Sequence, residues 1–473
     1  PGVSVGWNIM EEDFWKESKV SDIVSNLKPR LSYGVNGNVN GIGNYEVYGE
    51  YAQVDAKTYG GATALYNKKL LNTNLRWEQS QTFEVGLDIG FLQNRFSFIL
   101  DFYSRRTKDL LTKQALPGYT GFSDIVTNMG TLRNSGFEAE VKANIINKGG
   151  FTWDMTANIT SVANKIISLP YNNVENNRVG GYEVAAGKVD ADGKFPTKWI
   201  AGRQEGGKLG ELVGYRQQHV FKDWDDVKQH ANLRVDEVAN LYGPGLADQI
   251  NPATGKTYKE SSGWQPIEPG DACWEDINGD NIINGYDRSV MGNIFPNVTG
   301  GFSTTFGYKG LSLYARFDYA LGHTLYNDLK ARSLGQYQGQ FNIITDVKDM
   351  WSEANPNSDL TKFYYADQLA KKNITRSNNA STAADNNSSR YYEKGDYLAL
   401  REITLSYQLP KSLISKAHLT EASVYVTGQN LFYITGYDGV SPEPAVSTTY
   451  GRGIDNGRYP TPRTFLFGLS LTF

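Results

Sequence analysis

The densest run of chemistry-bearing side chains in this 473-residue chain is Asp276-Ile-Asn278-Gly-Asp280-Asn-Ile282-Ile-Asn284-Gly-Tyr-Asp287. Side-chain oxygens stand at the first, third, fifth, ninth and twelfth places, and the backbone carbonyl of Ile282 stands at the seventh. A loop wrapped around Ca2+ presents this pattern, because a hard cation takes roughly six to eight oxygen ligands. Two positions depart from an EF-hand loop. Asn281 stands where the sharp-turn Gly belongs, and Asn tolerates the left-handed conformation. Asp287 replaces the final Glu, as in dockerin-type loops. The expected ligand set is Asp276, Asn278, Asp280, the carbonyl of Ile282, Asn284 and Asp287, holding Ca2+ or, alternatively, Mg2+. The competing reading is an Asx-rich turn without an ion. In either case the expected role is to stiffen a loop, not to catalyse.

Catalytic constellations are otherwise poor, and the chain reads as a non-enzyme. There is no Gly-x-Ser-x-Gly elbow, no His-Glu-x-x-His helix and no Gly-rich phosphate loop. Carboxylate pairs can be assembled from 51 acids, but nothing fixes their separation. The single Cys273 permits no intramolecular disulfide and no Cys-based metal cluster, and beside Trp274 it reads as a packed small residue. The histidines, His219, His230, His323 and His418, are widely scattered. Among loop aromatics, Trp224, Trp264 and Tyr337 are candidates to stack on sugar rings or peptide side chains, with packing inside the loop as the competing role. A net charge of -4, from 47 Lys+Arg against 51 Asp+Glu, leaves no basic footprint for nucleic acid.

The elements that must position these residues are strands. Gly 49 and Tyr 30 are high beside Pro 16 and Met 5, which favours tight turns and amphipathic rings over helices. From 83 to 91 the odd positions are Phe83, Val85, Leu87, Ile89 and Phe91, and the even ones Glu84, Gly86, Asp88 and Gly90. Successive side chains of a strand point to opposite faces, so this segment has one greasy face. The next run, with Phe96, Phe98, Leu100 and Phe102 in phase, completes a hairpin through Gln93-Asn94. A second hairpin runs from Phe137 through a turn at Asn147 to Gly150 and on through Phe151 to Ile159. Similar alternation appears at 302–308, 311–319, 403–409, 422–426 and 465–473. This gives about ten to twelve strands of about nine to twelve residues, a length that crosses a bilayer at a tilt. Short loop helices are expected at 223–232, 345–354 and 410–417, and the Asn/Ser-rich stretch 371–390 reads as a mobile surface loop.

Connections alternate between tight turns and long Gly/Asn/Asp-rich excursions at 161–296 and 322–390, the second read as a long extracellular loop. Outer-membrane barrels have this asymmetry between periplasmic turns and extracellular loops. The chain stops on Phe473, with Phe465, Phe467, Leu469 and Leu471 in phase with it. An amphipathic last strand ending on an aromatic resembles the signal by which such barrels are recognised for assembly.

Several strings, in order along the chain, resemble the carboxy-terminal barrel portion of SusC/RagA-type TonB-dependent transporters. They are Leu75-Arg-Trp-Glu78, the run from Asn128 to Glu138, the run from Arg390 to Pro410, Thr427-Gly-Gln-Asn-Leu431 with Gly436-Tyr437 and Pro442-Glu443, and Tyr459 through Phe473. The resemblance implies an all-β, transmembrane antiparallel barrel of about 22 strands in the outer membrane of a Gram-negative bacterium, of which this chain, 1–473, would form about half. It also implies an amino-terminal plug that couples to TonB and a SusD-like surface lipoprotein that closes over the barrel as a lid. No plug and no coupling box are recognisable in these residues, so the chain is read as a carboxy-terminal piece that contacts TonB through a part not contained in it. The expected function is TonB-dependent import of an oligosaccharide or peptide nutrient. The alternatives are a passive porin-like channel and a soluble, calcium-stabilised β binding module.

Overall fold

The computed structural model describes residues 1–473 except 41, 44–45, 49, 60–61, 236–237, 240–249, 251–254, 258–266, 337–341, 364–387, 444–452 and 458. Eleven strands form one antiparallel sheet: β1 (Gly2–Gly6), β2 (Val24–Asn38), β3 (Glu78–Phe91), β4 (Phe96–Lys108), β5 (Thr131–Lys148), β6 (Phe151–Ser168), β7 (Val298–Tyr308), β8 (Leu311–Leu321), β9 (Tyr397–Gln408), β10 (Glu421–Thr435) and β11 (Thr464–Thr472). Each strand pairs with the sheet strand that follows it in the chain, so the sheet is a simple up-and-down meander. Local pairing dictates this order, because an antiparallel neighbour can be reached through a short turn.

The strands are longer than the alternation alone outlines. β5 and β6 each run 18 residues, because the backbone ladder continues past the stretch in which the apolar face is unbroken. The second hairpin turn is correspondingly shorter than the expected Asn147–Gly150. Lys148 pairs with Phe151, which leaves Gly149-Gly150 at φ 64° and 79°. The β7–β8 turn is built the same way on Lys309 and Gly310, at φ 47° and 89°. Positive φ at both central residues gives the turn whose twist matches that of its strands.

Registers keep the apolar faces aligned across the sheet. Leu31 lies opposite Val85, Val85 opposite Phe102, and Phe102 opposite Phe137, with the last two rings 4.7 Å apart. Further on, Phe302 stacks on Phe317 at 4.7 Å and Val426 lies opposite Phe467. Many side chains of this face are exposed, Phe102 at 58%, Phe467 at 81% and Leu469 at 61%, and the stacked Phe302 and Phe317 are half-buried. An exposed apolar face is what a membrane barrel turns to lipid. Among the described residues no helix is long and apolar enough to cross a membrane.

The high Gly and Tyr content has a structural reason here. Three directly opposed pairs, Tyr103–Gly136, Tyr319–Gly300 and Tyr425–Gly468, place a ring where a Cβ on the glycine would stand. Each ring covers the backbone that its glycine leaves bare.

The tight connections, at 92–95, Gly149-Gly150 and Lys309-Gly310, all lie on one rim. The segments 39–77, 109–130, 169–297, 322–396 and 436–463 leave from the other. β6 carries on to Ser168, so the first long excursion leaves the sheet at 169 rather than 161, and the second returns at Tyr397. Buried apolar residues concentrate in these excursions. One cluster gathers Tyr215, Phe221, Val227, Ile267, Trp274 and Ile283, and another Tyr326, Ala331, Leu334 and Tyr391. The expected short helices appear as Trp224–Gln229, a 3-10 turn at Thr345–Asp349, and Lys411–Ile414 followed by a 3-10 turn at Ser415–Ala417. Of the Asn/Ser-rich stretch, residues 371–387 lie outside the described residues.

Candidate functional site

The face of the sheet opposite the apolar one carries a wall of charge. Arg30 on β2 reaches Asp88 on β3 at 2.9 Å, Asp101 on β4 at 3.0 Å and Glu84 at 3.8 Å. Gly86 makes room for it, since a Cβ there would stand 2.9 Å from the guanidinium. One cation thereby ties three strands together on a wet face, where a partly solvated pair is worth more as a network than singly. A second node forms at Arg401. The β8–β9 register shifts between Arg316 and Phe317, and this bulge re-aims the arginine. Its Nε donates to Asp318 at 2.5 Å, one Nη donates to the Tyr433 hydroxyl at 3.1 Å, and the other to Glu443. Sequence patterning missed both nodes, because alternation marks a residue as polar without naming its cross-strand partner.

The strings that carried the family resemblance meet in space. The Asn128 side chain accepts from the Arg76 N–H at 2.7 Å and donates to the carbonyls of Arg76 and Asp109. Glu78 accepts from Asn38 and from the N–H of Leu111. These residues brace the rim from which the excursions leave. Arg401 and Glu443, from separate strings, form one ion pair. His323 is buried, with Nε2 2.9 Å from the Pro442 carbonyl, so it packs the root of the second excursion.

The oxygen-rich segment 276–287 sits within the first buried cluster. Ile282-Ile283 pairs in parallel with Arg234-Val235, and Ile283 is fully buried. Asn281 takes the left-handed conformation at φ 62°, which Asn tolerates. Asp276 accepts from the N–H groups of Gly279 and Asn281, Asn278 from Asp280, and Asp280 from Ile282. Asn284 accepts from Tyr286, and Asp287 accepts from Ile277 and Asn284. An ionised carboxylate has more lone pairs than these bonds use, so capacity toward a cation remains. Asp287 is 1% exposed. Burial, reinforced by Asp276 and Asp280, pushes its carboxyl up to about 6 despite the two backbone donors. All-oxygen donors and concentrated negative charge fit a hard divalent cation.

Two concave regions lie where ligand could rest. A cavity of about 330 Å3 separates the lip of β6 from the first excursion and is lined by Asn164, Lys208, Glu211, Asn293 and Asn297 among others. A wider one of about 510 Å3 lies between Leu431–Tyr433 on β10 and the segment Tyr459–Arg463. Trp224, at the start of a helix capped by Asp223, is 42% exposed and does not line either cavity. The other two aromatic candidates, Trp264 and Tyr337, lie outside the described residues.

Residues 1–243 match a protein family described as TonB dependent receptor-like, beta-barrel. TonB-dependent receptor P3 of Formosa agariphila is 28% identical over the whole chain, which covers 42% of that protein. TonB-dependent receptor SusC of Bacteroides thetaiotaomicron is 29% identical over the whole chain, which covers 40% of it. The chain thus spans about two-fifths of the length of the curated relatives it matches. Among solved structures, the RagAB peptide importer in its open-open state aligns over the whole chain and 42% of its own, with a TM-score of 0.69 at 22% identity. That likeness establishes the same barrel architecture.

Proposed function

Because the chain belongs to the TonB-dependent receptor-like β-barrel family, we propose that it forms the carboxy-terminal wall of an outer-membrane importer. As a member it is a transport-type barrel of the Gram-negative outer membrane and not an enzyme. In the proposed mechanism, TonB-coupled displacement of a plug opens a lumen whose wall includes Arg30, Asp88, Asp101, Arg401 and Glu443. A SusD-like lipoprotein closes over the excursions, and the ligand is an oligosaccharide or a peptide. The observation that carries this reading is the joint asymmetry of the sheet. One face is apolar and exposed, the other carries cross-strand ion networks, and the long excursions leave from a single rim.

Growth and uptake of defined oligosaccharides and defined peptides should be measured in cells carrying or lacking the gene, with and without TonB. Uptake of one class that needs both supports the proposal. Uptake that persists without TonB identifies a passive channel instead. Co-purification of a surface lipoprotein with the full-length protein tests the lid.

Within the same reading, the loop 276–287 is a Ca2+ clip, with Mg2+ as the lesser alternative. It fixes the excursion 169–297 for contact with lid or ligand. Elemental measurement should find one Ca2+ or Mg2+ bound per chain, and chelation should speed hydrogen exchange across 276–287 in wild type but not in Asp280→Ala. No ion, with equal loop protection in chelator, refutes it.

A further inference from the structure

The structure brings together three residues that lie far apart in the chain. His219 stands on the short strand Gln217–Val220, directly opposite Cys273 on Ala272–Trp274, so both project from the same face of that hairpin. His230 closes the helix Trp224–Gln229 as its C-cap residue. Its ring lies 5.6 Å from that of His219. One ligand atom from each of His219, His230 and Cys273 can be chosen so that all lie within 4.8 Å of one another. Around a tetrahedral zinc, with Zn–N near 2.0 Å and Zn–S near 2.3 Å, such atoms stand about 3.3–3.5 Å apart. Side-chain movements of about 1 Å therefore close the gap.

We propose that His219, His230 and Cys273 form a Zn2+ site that clips the segment 217–274 of the first excursion to itself. Two imidazoles and a thiolate are a borderline-to-soft donor set, which selects zinc over the hard cations suited to the loop 276–287. The surroundings match such a site on both sides. Cys273 is 2% exposed and backed by Phe221, Val227 and Trp274, which gives the sulfur a dry wall. The imidazoles are about a third exposed, which leaves an entry path and a place for water as fourth ligand.

Asp226 supplies the orienting partner that zinc-bound imidazoles carry. Its Oδ2 lies 3.3 Å from Nε2 of His219 and accepts from the Lys222 N–H. Its Oδ1 and its carbonyl lie 3.6 Å and 3.0 Å from Nδ1 of His230. Asp226 is thus a positioning residue, and it is fixed in turn by the helix that Asp223 caps. The ion would close a loop that runs from His219 to Cys273, adding a tie to the hydrogen bonds that already join the two strands and hold the helix end.

The test uses the full-length protein in detergent, stripped with chelator and then given Co2+ or Zn2+ alone. The expected result is one ion per chain, a thiolate-to-cobalt charge-transfer band with intense four-coordinate visible absorption, and slower hydrogen exchange across 217–235 on adding Zn2+. Cys273→Ser should abolish the charge-transfer band, and His219→Gln should weaken Zn2+ binding at least about 100-fold. Asp226→Asn should keep the band but weaken binding by about 10–100-fold. Heat-modifiable migration on gels reports that each variant still holds a folded barrel. Should Cys273→Ser fail to fold, the half-exposed His219→Gln decides the matter. Absence of the band in wild type, or equal Zn2+ uptake by wild type and His219→Gln, overturns the proposal.

Discussion

The sheet and the excursion between β6 and β7 treat apolar residues in opposite ways. On the sheet, Phe467 and Leu469 stand fully outward, whereas in the excursion Phe221 and Ile283 are 0% exposed. The same chain therefore meets two solvents. Where hydrocarbon surrounds a strand, leaving an apolar side chain outside costs nothing, and stability comes from the backbone ladder between strands. Where water surrounds a loop, apolar side chains must be gathered into a core, which here is small and built from a few large residues.

The sharpest way to break this contrast is to empty the loop core. Trp274→Ala should cost the excursion about 3–5 kcal/mol, because a fully buried indole leaves a cavity. Limited proteolysis should then cut within 169–297 while the barrel keeps its heat-modifiable gel shift. Loss of both together would mean that loop and sheet fold as one unit. Next in size, Val85→Arg on the outward face should destabilise the barrel in lipid vesicles by about 2–4 kcal/mol. Ser32→Arg, on the charged face, should cost less than about 1 kcal/mol in the same urea titration. Equal costs would contradict the assignment of faces.

Removing the cation from the charged wall tests the network itself. Arg30→Ala should cost about 1–2 kcal/mol, since it leaves Asp88 and Asp101 facing each other with partial solvation. Added salt should narrow the difference from wild type, as screening weakens both the attraction and the repulsion. The smallest effect is expected at the β7–β8 turn. Lys309→Asn should stabilise by about 0.5 kcal/mol, because Asn accepts the left-handed conformation that Lys309 now holds.

Much of the sheet is legible in the chain because a strand's period is short and local. Phe83 to Phe91 and Phe465 to Phe473 announce two faces without any tertiary information. The oxygen-rich loop can be picked out for the same reason, since all its oxygens fall within twelve consecutive positions. The His219–His230–Cys273 cluster is not legible. Its members are brought together by the pairing of Gln217–Val220 with Ala272–Trp274 and by the end of a helix, and no spacing encodes that pairing. The Arg401 node is equally silent, because a bulge shifts the register by one residue and so chooses its partners.

By itself, then, the sequence determined strands, their two faces, the tight turns on Gly and the order of elements, all set by interactions between near neighbours. Only the tertiary structure decided which charges meet across strands and where buried side chains converge inside the excursions. Those outcomes depend on register and long-range closure, in which residues tens of positions apart must arrive at one point. Local preference cannot specify that arrival, and packing and hydrogen bonding across the sheet can.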